Sequence, residues 1–150
     1  MKKITRNLLL FAFVLSSILG TLKAENNWEV YYENTQLKIS FCQTQCDFDE
    51  QFDQEFVVFK IENLTSNTLL VQWDSKLWYD ESCINCEQDS PEFRKKIRIE
   101  SKKIIEGNCS THNALRIFSK FTENLEDMPG VDKITTLTKF ELKNINITNE

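Results

Sequence analysis

The chain has 150 residues, of which 41% are hydrophobic and 27% charged, with five Cys, a single His and a formal net charge of −5. This length suits one domain, and the apolar share excludes an intrinsically disordered chain. A single His excludes a His-rich metal centre, and the acidic balance disfavours nucleic acid as a partner because it repels phosphate.

The first 24 residues predict a secretory signal peptide. Basic residues within the first six positions precede an uncharged, largely apolar stretch over 8–22, and Ala24 offers a small residue for cleavage. This stretch is shorter than the roughly 20 apolar residues of a membrane span. We therefore expect a mature protein over 25–150 that is periplasmic or secreted and has no membrane span. Since four basic and no acidic residues are removed, its net charge falls from −5 to −9.

Beyond this segment, apolar and polar residues alternate with a period of two. Leu37, Ile39 and Phe41 alternate with Lys38 and Ser40, a pattern typical of half-buried antiparallel strands. The polar stretch 120–130 is compatible with a loop or a helical turn. The same alternation elsewhere predicts strands over 28–33, 36–42, 54–63, 68–74, 76–80, 94–105, 114–121 and 136–148.

Turn-forming residues separate these short strands, as at Asp74-Ser75 and Gly107-Asn108. Neither an internal repeat nor a linker interrupts the pattern. It predicts one all-β domain over 25–150, an antiparallel β-sandwich of the immunoglobulin-like kind. The antibody-type pair of Cys on facing strands is absent, because the predicted strand 54–63 contains no Cys.

A loose resemblance supports this fold. The stretch 56–65 (FVVFKIENLT), followed by Trp78-Tyr79 and the pair Cys83 and Cys86, is similar to uncharacterised exported bacterial proteins with an immunoglobulin-like sandwich. The resemblance covers most of the mature chain without a specific motif. It implies the same fold and no activity, so function must be inferred from the residues themselves.

All five Cys lie in the mature chain, and in an exported protein they predict disulfides. We favour two local pairs, Cys42–Cys46 and Cys83–Cys86, which leave Cys109 as a free thiol. Pairing across the sheets with Cys109 is the alternative. The C-x3-C and C-x2-C spacings also permit a zinc site with four thiolate ligands. Redox catalysis is disfavoured, because acidic neighbours raise the pKa of a thiol.

The densest acidic run contains Asp47, Asp49, Glu50 and Asp53. Hard oxygen ligands this close together suit Ca²⁺, although the EF-hand spacing is absent. Interleaved Phe side chains indicate that the segment packs down while its acids face water. We favour a solvated loop over a metal site.

A basic cluster on the predicted strand 94–105 is the main candidate for contact with a partner. Arg94, Lys96 and Arg98 belong to this cluster, which either blocks edge-to-edge pairing or docks an acidic partner. Lys96 and Arg98 share one face of the strand with Glu100. Trp78 alternates with Leu77 and Tyr79, so we expect it to be partly exposed. Exposed aromatic rings stack on sugars or anchor a protein partner.

Taken together, these features predict an exported, non-enzymatic binding or structural accessory protein of the cell envelope. It would recognise an unknown protein or glycan partner and need no cofactor. A small metal-binding protein, using the paired Cys or the acidic 47–55 loop, is the alternative. Cys109 and His112 lie close enough in sequence to suggest a nucleophilic pair, but no hydrolase, nucleotide-binding or metalloprotease motif accompanies them.

Overall fold

The computed structural model describes residues 27–48, 52–87, 90–110 and 114–150. The predicted signal peptide lies outside the described residues, as do Asp49, Glu50 and His112. The described ranges contain short 3₁₀ turns at Pro91–Phe93 and, within the stretch 120–130, at Leu125–Asp127. The strands are β1 (Glu29–Glu33), β2 (Leu37–Cys46), β3 (Gln54–Asn63), β4 (Leu69–Tyr79), β5 (Ser82–Cys83), β6 (Arg94–Ile99), β7 (Ile104–Glu106), β8 (Arg116–Phe121) and β9 (Leu137–Asn149).

The strands form two antiparallel sheets that pack against each other. Sheet A has the order β1-β2-β3, and both β7 and β8 pair with the far edge of β3. In sheet B, β9 pairs with β4 over the length of β4, while the other edge of β4 pairs first with β6 and then with β5. The predicted all-β sandwich is confirmed, and the immunoglobulin-like subclass stays a prediction.

The core lies between the sheets and follows the predicted alternation. Odd-numbered residues of β2, β3 and β4 point inward, because successive side chains of a strand face opposite ways. Trp73 is the largest side chain buried there, at 1% exposure. The core contains Leu37, Ile39, Val57, Phe59, Ile61, Leu69, Val71, Trp73, Leu77, Ile99, Ile117 and Leu142.

Several predicted strand bounds are wrong. β2 continues four residues past its predicted end at Cys42, to Cys46. β4 runs through the expected turn at Asp74-Ser75, because β9 pairs with the strand on both sides of that point. The predicted strand 94–105 is two strands, β6 in sheet B and β7 in sheet A, separated by a turn in which Lys102 has a φ of 59°. β5 was not predicted; it follows a two-residue turn at Asp80 and Glu81, which both have positive φ.

The two long sides of the sandwich differ. On the side of β1 and β9, the ring of Tyr31 stacks on Phe140 at 5.5 Å, and the Leu142 N–H donates to the Tyr31 hydroxyl at 2.7 Å. On the side of β8, the Tyr79 hydroxyl donates to the Phe118 carbonyl at 2.6 Å. Beside that bond, a groove of about 700 Å³ opens between the sheets.

The segment between β7 and β8, which we call the excursion, departs from sheet A and returns to it. Both ends of the excursion are hydrogen-bonded to the same residue of β3, Phe59. The Gly107 N–H donates to the Phe59 carbonyl at 2.8 Å, and the Phe59 N–H donates to the Leu115 carbonyl at 2.9 Å. The two ends of the excursion are therefore adjacent, and a Cβ at position 107 would lie 2.3 Å from the Leu115 carbonyl oxygen. This close approach requires glycine.

Candidate binding face on sheet B

The four residues predicted to contact a partner lie on one surface, the outer face of sheet B. Arg94, Lys96 and Arg98 alternate with the inward-facing residues of β6 and stand opposite Asp74, Gln72 and Leu70 of β4. Trp78 lies further along β4, on the side opposite the buried Leu77. A sheet with alternating residues brings all four together.

β9 contributes residues to this face that the sequence pattern did not predict. Its register places Lys139 opposite Trp78, Glu141 opposite Lys76, and Lys143 opposite Asp74. The available signal was the charged residue at every second position, Lys139, Glu141 and Lys143. We call the resulting surface the basic face. It contains the basic residues Lys76, Arg94, Lys96, Arg98, Lys139 and Lys143, the acidic residues Asp74, Glu141 and Glu150, the neutral polar residues Gln72, Asn144, Asn146 and Thr148, and the apolar or aromatic residues Leu70 and Trp78.

Ion pairs fix several of these side chains. Arg94 Nε lies 3.0 Å from an Asp74 carboxylate oxygen, and Arg98 Nε lies 2.7 Å from Glu150. The Glu141 carboxylate accepts from Lys139 Nζ and Lys143 Nζ, each at 2.7 Å. These three acids neutralise half of the six cations, so the face keeps a net positive charge.

The same contacts change the pKa values of the acids. Hydrogen bonds from Lys139 and then Lys143 lower the pKa of Glu141 to about 2. A hydrogen bond from Asn144 Nδ2, at 2.9 Å, and another from Arg94 lower the pKa of Asp74. Both acids are therefore ionised at neutral pH, and the net charge of the face does not depend on their titration there.

Trp78 contributes a ring at one end of the basic face. Lys139 Nζ lies 4.4 Å from the ring centroid, close enough for a cation–π interaction. The indole is half-buried, as expected from its position on the strand. It gives the face a flat apolar element beside charged groups.

A disulfide loop supports the other edge of β4, between β5 and β6. The buried side chain of Asn85 accepts from the Leu77 N–H at 2.9 Å and donates to the Ser75 carbonyl at 2.7 Å. It thus satisfies backbone groups of β4 in the gap between those two strands. The Cys83–Cys86 disulfide, with a Cα–Cα distance of 5.7 Å, encloses this residue. The predicted pairing of these two cysteines agrees with the structure.

The other predicted cysteine pair is wrong. Cys46 is bonded to Cys109 with a Cα–Cα distance of 5.5 Å, and Cys42 is the free, buried cysteine. Cys42 and Cys46 are four residues apart on the continuous strand β2, about 13 Å, whereas a disulfide needs Cα atoms within about 7 Å. Burial raises the pKa of the Cys42 thiol. Cys109 is therefore not the free thiol.

Among the described residues, the structure provides no site for the metal-binding hypothesis or for catalysis by Cys109. Three sulfurs of the hypothetical zinc set, those of Cys46, Cys83 and Cys86, are in disulfides. In the acidic run, Asp53 Oδ1 accepts from the Phe48 N–H at 3.2 Å. Across the described part of the chain, no three His, Cys, Asp or Glu side chains are arranged to hold a metal ion. A disulfide-bonded Cys109 is not a thiolate nucleophile.

The chain matches no protein-family model, no curated protein and no solved structure. Its function is therefore inferred from the geometry of its own residues. Over the described ranges, no helix is long and apolar enough to cross a membrane.

Proposed function

We propose that this is an exported, non-enzymatic binding protein of the cell envelope that holds an acidic polysaccharide on its basic face. One observation carries the proposal: six cations and three acids share the outer face of one sheet in a chain whose net charge is −5. A positively charged surface on a chain with a negative net charge is expected where the protein attracts an anionic partner.

The spacing of the cations suits a repeating anionic partner. Arg94, Lys96 and Arg98 follow one another along β6 at intervals of about 7 Å. Lys143 of β9 lies two strands from Arg94, about 10 Å away across Asp74. A polymer with regularly spaced carboxylates would contact several of them at once. Each contact would release counterions, so the affinity should fall steeply with salt.

The neutral residues of the face favour a sugar polymer over an acidic protein. Gln72 stands opposite Asn146 at the centre of the face, and Thr148 follows along β9. Amides and hydroxyls both donate and accept hydrogen bonds, as sugar hydroxyls require. The Trp78 ring adds a surface on which a sugar ring can stack.

The two disulfides support the exported location, since disulfides persist in oxidising compartments. Binding without catalysis is supported by the chemistry of the face. Its charged groups are mostly Lys and Arg, which hold anions, and its acids are engaged in ion pairs. Neither arrangement supplies a general acid or base with a pKa near neutrality.

The test is binding of the purified mature protein to alginate, with neutral dextran as the reference polymer. The variant Lys96→Gln/Lys143→Gln removes two cations of the basic face. The matched control Lys38→Gln/Lys103→Gln removes two lysines elsewhere and gives the same net charge. We expect the first variant to bind alginate about tenfold more weakly and the control to bind within twofold of the wild type.

Two results would contradict the proposal. Equal loss in both variants would show that net charge acts, rather than the basic face. Equally tight binding of poly-glutamate would show that carboxylates suffice and that the face takes an acidic protein instead of a polysaccharide.

A further inference from the structure

The groove on the β8 side of the sandwich contains a second candidate site, separate from the basic face. We propose that this side groove binds a ligand with an alkyl chain and an anionic head, of the class of long-chain carboxylates. Its lining is mostly apolar, as at Phe56, Ile84 and Phe118, and its charged residues are Glu92, Lys95 and Arg116.

The size and composition of the side groove fit a small ligand. Its volume of about 700 Å³ lies within the range of about 300–1,000 Å³ typical of ligand sites, which are mostly apolar with a few polar groups. The Phe118 carbonyl on its wall already accepts a hydrogen bond from the Tyr79 hydroxyl. A peptide would bring backbone N–H and C=O groups that need partners, whereas an alkyl chain needs none.

One lip of the groove holds an apolar side chain in a fixed position. Ile84 is 51% exposed and lines the groove. Its N–H donates to the Leu77 carbonyl at 3.0 Å, and it lies between Cys83 and Cys86, which are bonded to each other. The buried Asn85 side chain fixes the same loop on β4. The backbone of this lip is therefore held in place, and it presents the exposed Ile84 side chain to the groove.

Two cations accompany this apolar surface. Lys95 Nζ donates to the Glu92 carbonyl at 2.7 Å, and the Arg116 guanidinium donates to the Cys109 carbonyl and lies 4.6 Å from the Phe56 ring. Both hydrogen-bond acceptors are carbonyl oxygens, which carry no countercharge to offset these cations. With one carboxylate, that of Glu92, in the lining, the groove has a net positive charge. It therefore favours an anionic head group over a neutral one.

The test is calorimetric titration of the purified mature protein with dodecanoate, decanoate and octanoate below their micelle concentrations. Each methylene removed should weaken binding about fourfold. Dodecanol, which lacks the charge, should bind about fivefold more weakly than dodecanoate. Binding that ignores chain length, or dodecanol that binds as tightly as dodecanoate, would overturn the proposal.

Matched variants locate the ligand. Ile84→Ser should weaken dodecanoate binding about tenfold, while Ile104→Ser should leave it within twofold, since Ile104 is equally exposed at 54% but does not line the groove. Equal effects of the two variants would overturn the assignment to the side groove. Alginate binding should be unchanged by Ile84→Ser, so failure of this site is distinguishable from failure of the basic face.

Discussion

The outer faces of the two sheets have opposite character. On sheet A, the even-numbered residues of β2 and β3 include a buried apolar cluster of Cys42, Cys46, Phe56 and Val58. On sheet B, the corresponding positions of β4, β6 and β9 are polar or charged except for Leu70 and Trp78, and all are half-buried or exposed. Both sheets cover the same core, so their outer faces are free to differ.

The outer face of sheet A is covered by other parts of the chain. Cys109, in the excursion between β7 and β8, is bonded to Cys46 and packs on the cluster, as do Phe48 and Trp28. The basic face has no comparable apolar cluster among the described residues, and its charged side chains remain accessible. The excursion and the segments around Phe48 and Trp28 cover the outer face of sheet A, so the outer face of sheet B remains available to a partner.

The disulfide that holds the cover of sheet A, Cys46–Cys109, should stabilise the protein more than the Cys83–Cys86 disulfide beside β4. Removing its disulfide in Cys46→Ala/Cys109→Ala frees a loop of 63 residues and should cost about 4 kcal/mol of unfolding free energy. Cys83→Ala/Cys86→Ala opens a separation of 3 residues and should cost about 1.6 kcal/mol. Urea unfolding of both variants measures the difference, and equal losses would contradict it.

The excursion that provides the cover depends on Gly107. In Gly107→Ala, the new Cβ meets the Leu115 carbonyl oxygen at 2.3 Å, so we expect a loss of about 2–3 kcal/mol. Gly130→Ala is the control, because Gly130 has open space and a φ of +80°; its left-handed backbone should cost about 1 kcal/mol. Denaturant unfolding separates the two, and a milder effect at position 107 would contradict the close approach.

Polar substitution should distinguish the covered face from the open one. Val58, at 1% exposure, belongs to the covered cluster, and Val58→Thr should cost about 1–2 kcal/mol because it buries a hydroxyl. The reverse exchange on the basic face, Thr148→Val, should change stability by less than about 0.5 kcal/mol. Thermal unfolding of the two variants is the measurement. Equal tolerance at both positions would show that the outer face of sheet A is not buried.

The smallest expected effect is a pH dependence of the basic face. The pKa of Glu141 is lowered from 4.5 to about 2 by Lys139 and Lys143. Its contribution to stability is therefore complete above the unfolded pKa and is lost as the pH falls through the folded pKa. NMR titration of the Glu141 carboxyl should show this value, and Lys139→Gln should raise it. An ordinary pKa in the wild type would indicate that the ion pairs do not form.

The strands that face water on one side were the most predictable part of the fold. β3 matches its predicted bounds, because Val57, Phe59 and Ile61 alternate with Lys60 and Glu62 at its end. The same strand also contained a signal that was missed. Its run of four apolar residues, FVVF at 56–59, is buried throughout. Such a run indicates that both faces of a strand are covered.

The candidate sites were predictable to different degrees. Arg94, Lys96, Arg98 and Trp78 could be identified from composition and alternation, because charge and strand period are local properties. These residues share a face with Lys139 and Lys143 only because β9 pairs with β4, and the two strands are about 65 residues apart in sequence. The side groove depends on where the edges of two sheets lie, which local alternation does not encode.

The sequence by itself determined the strand period, the inward-facing residues and the chemistry of the exposed ones, since each follows from neighbouring residues. Only the tertiary structure decided that Cys46 pairs with Cys109, that the excursion from Gly107 covers sheet A, and that six cations share one face of sheet B. The physical reason is that disulfide partners and sheet faces are set by strand register and by distances in space, and residues far apart in sequence become neighbours only when the two sheets pair and pack.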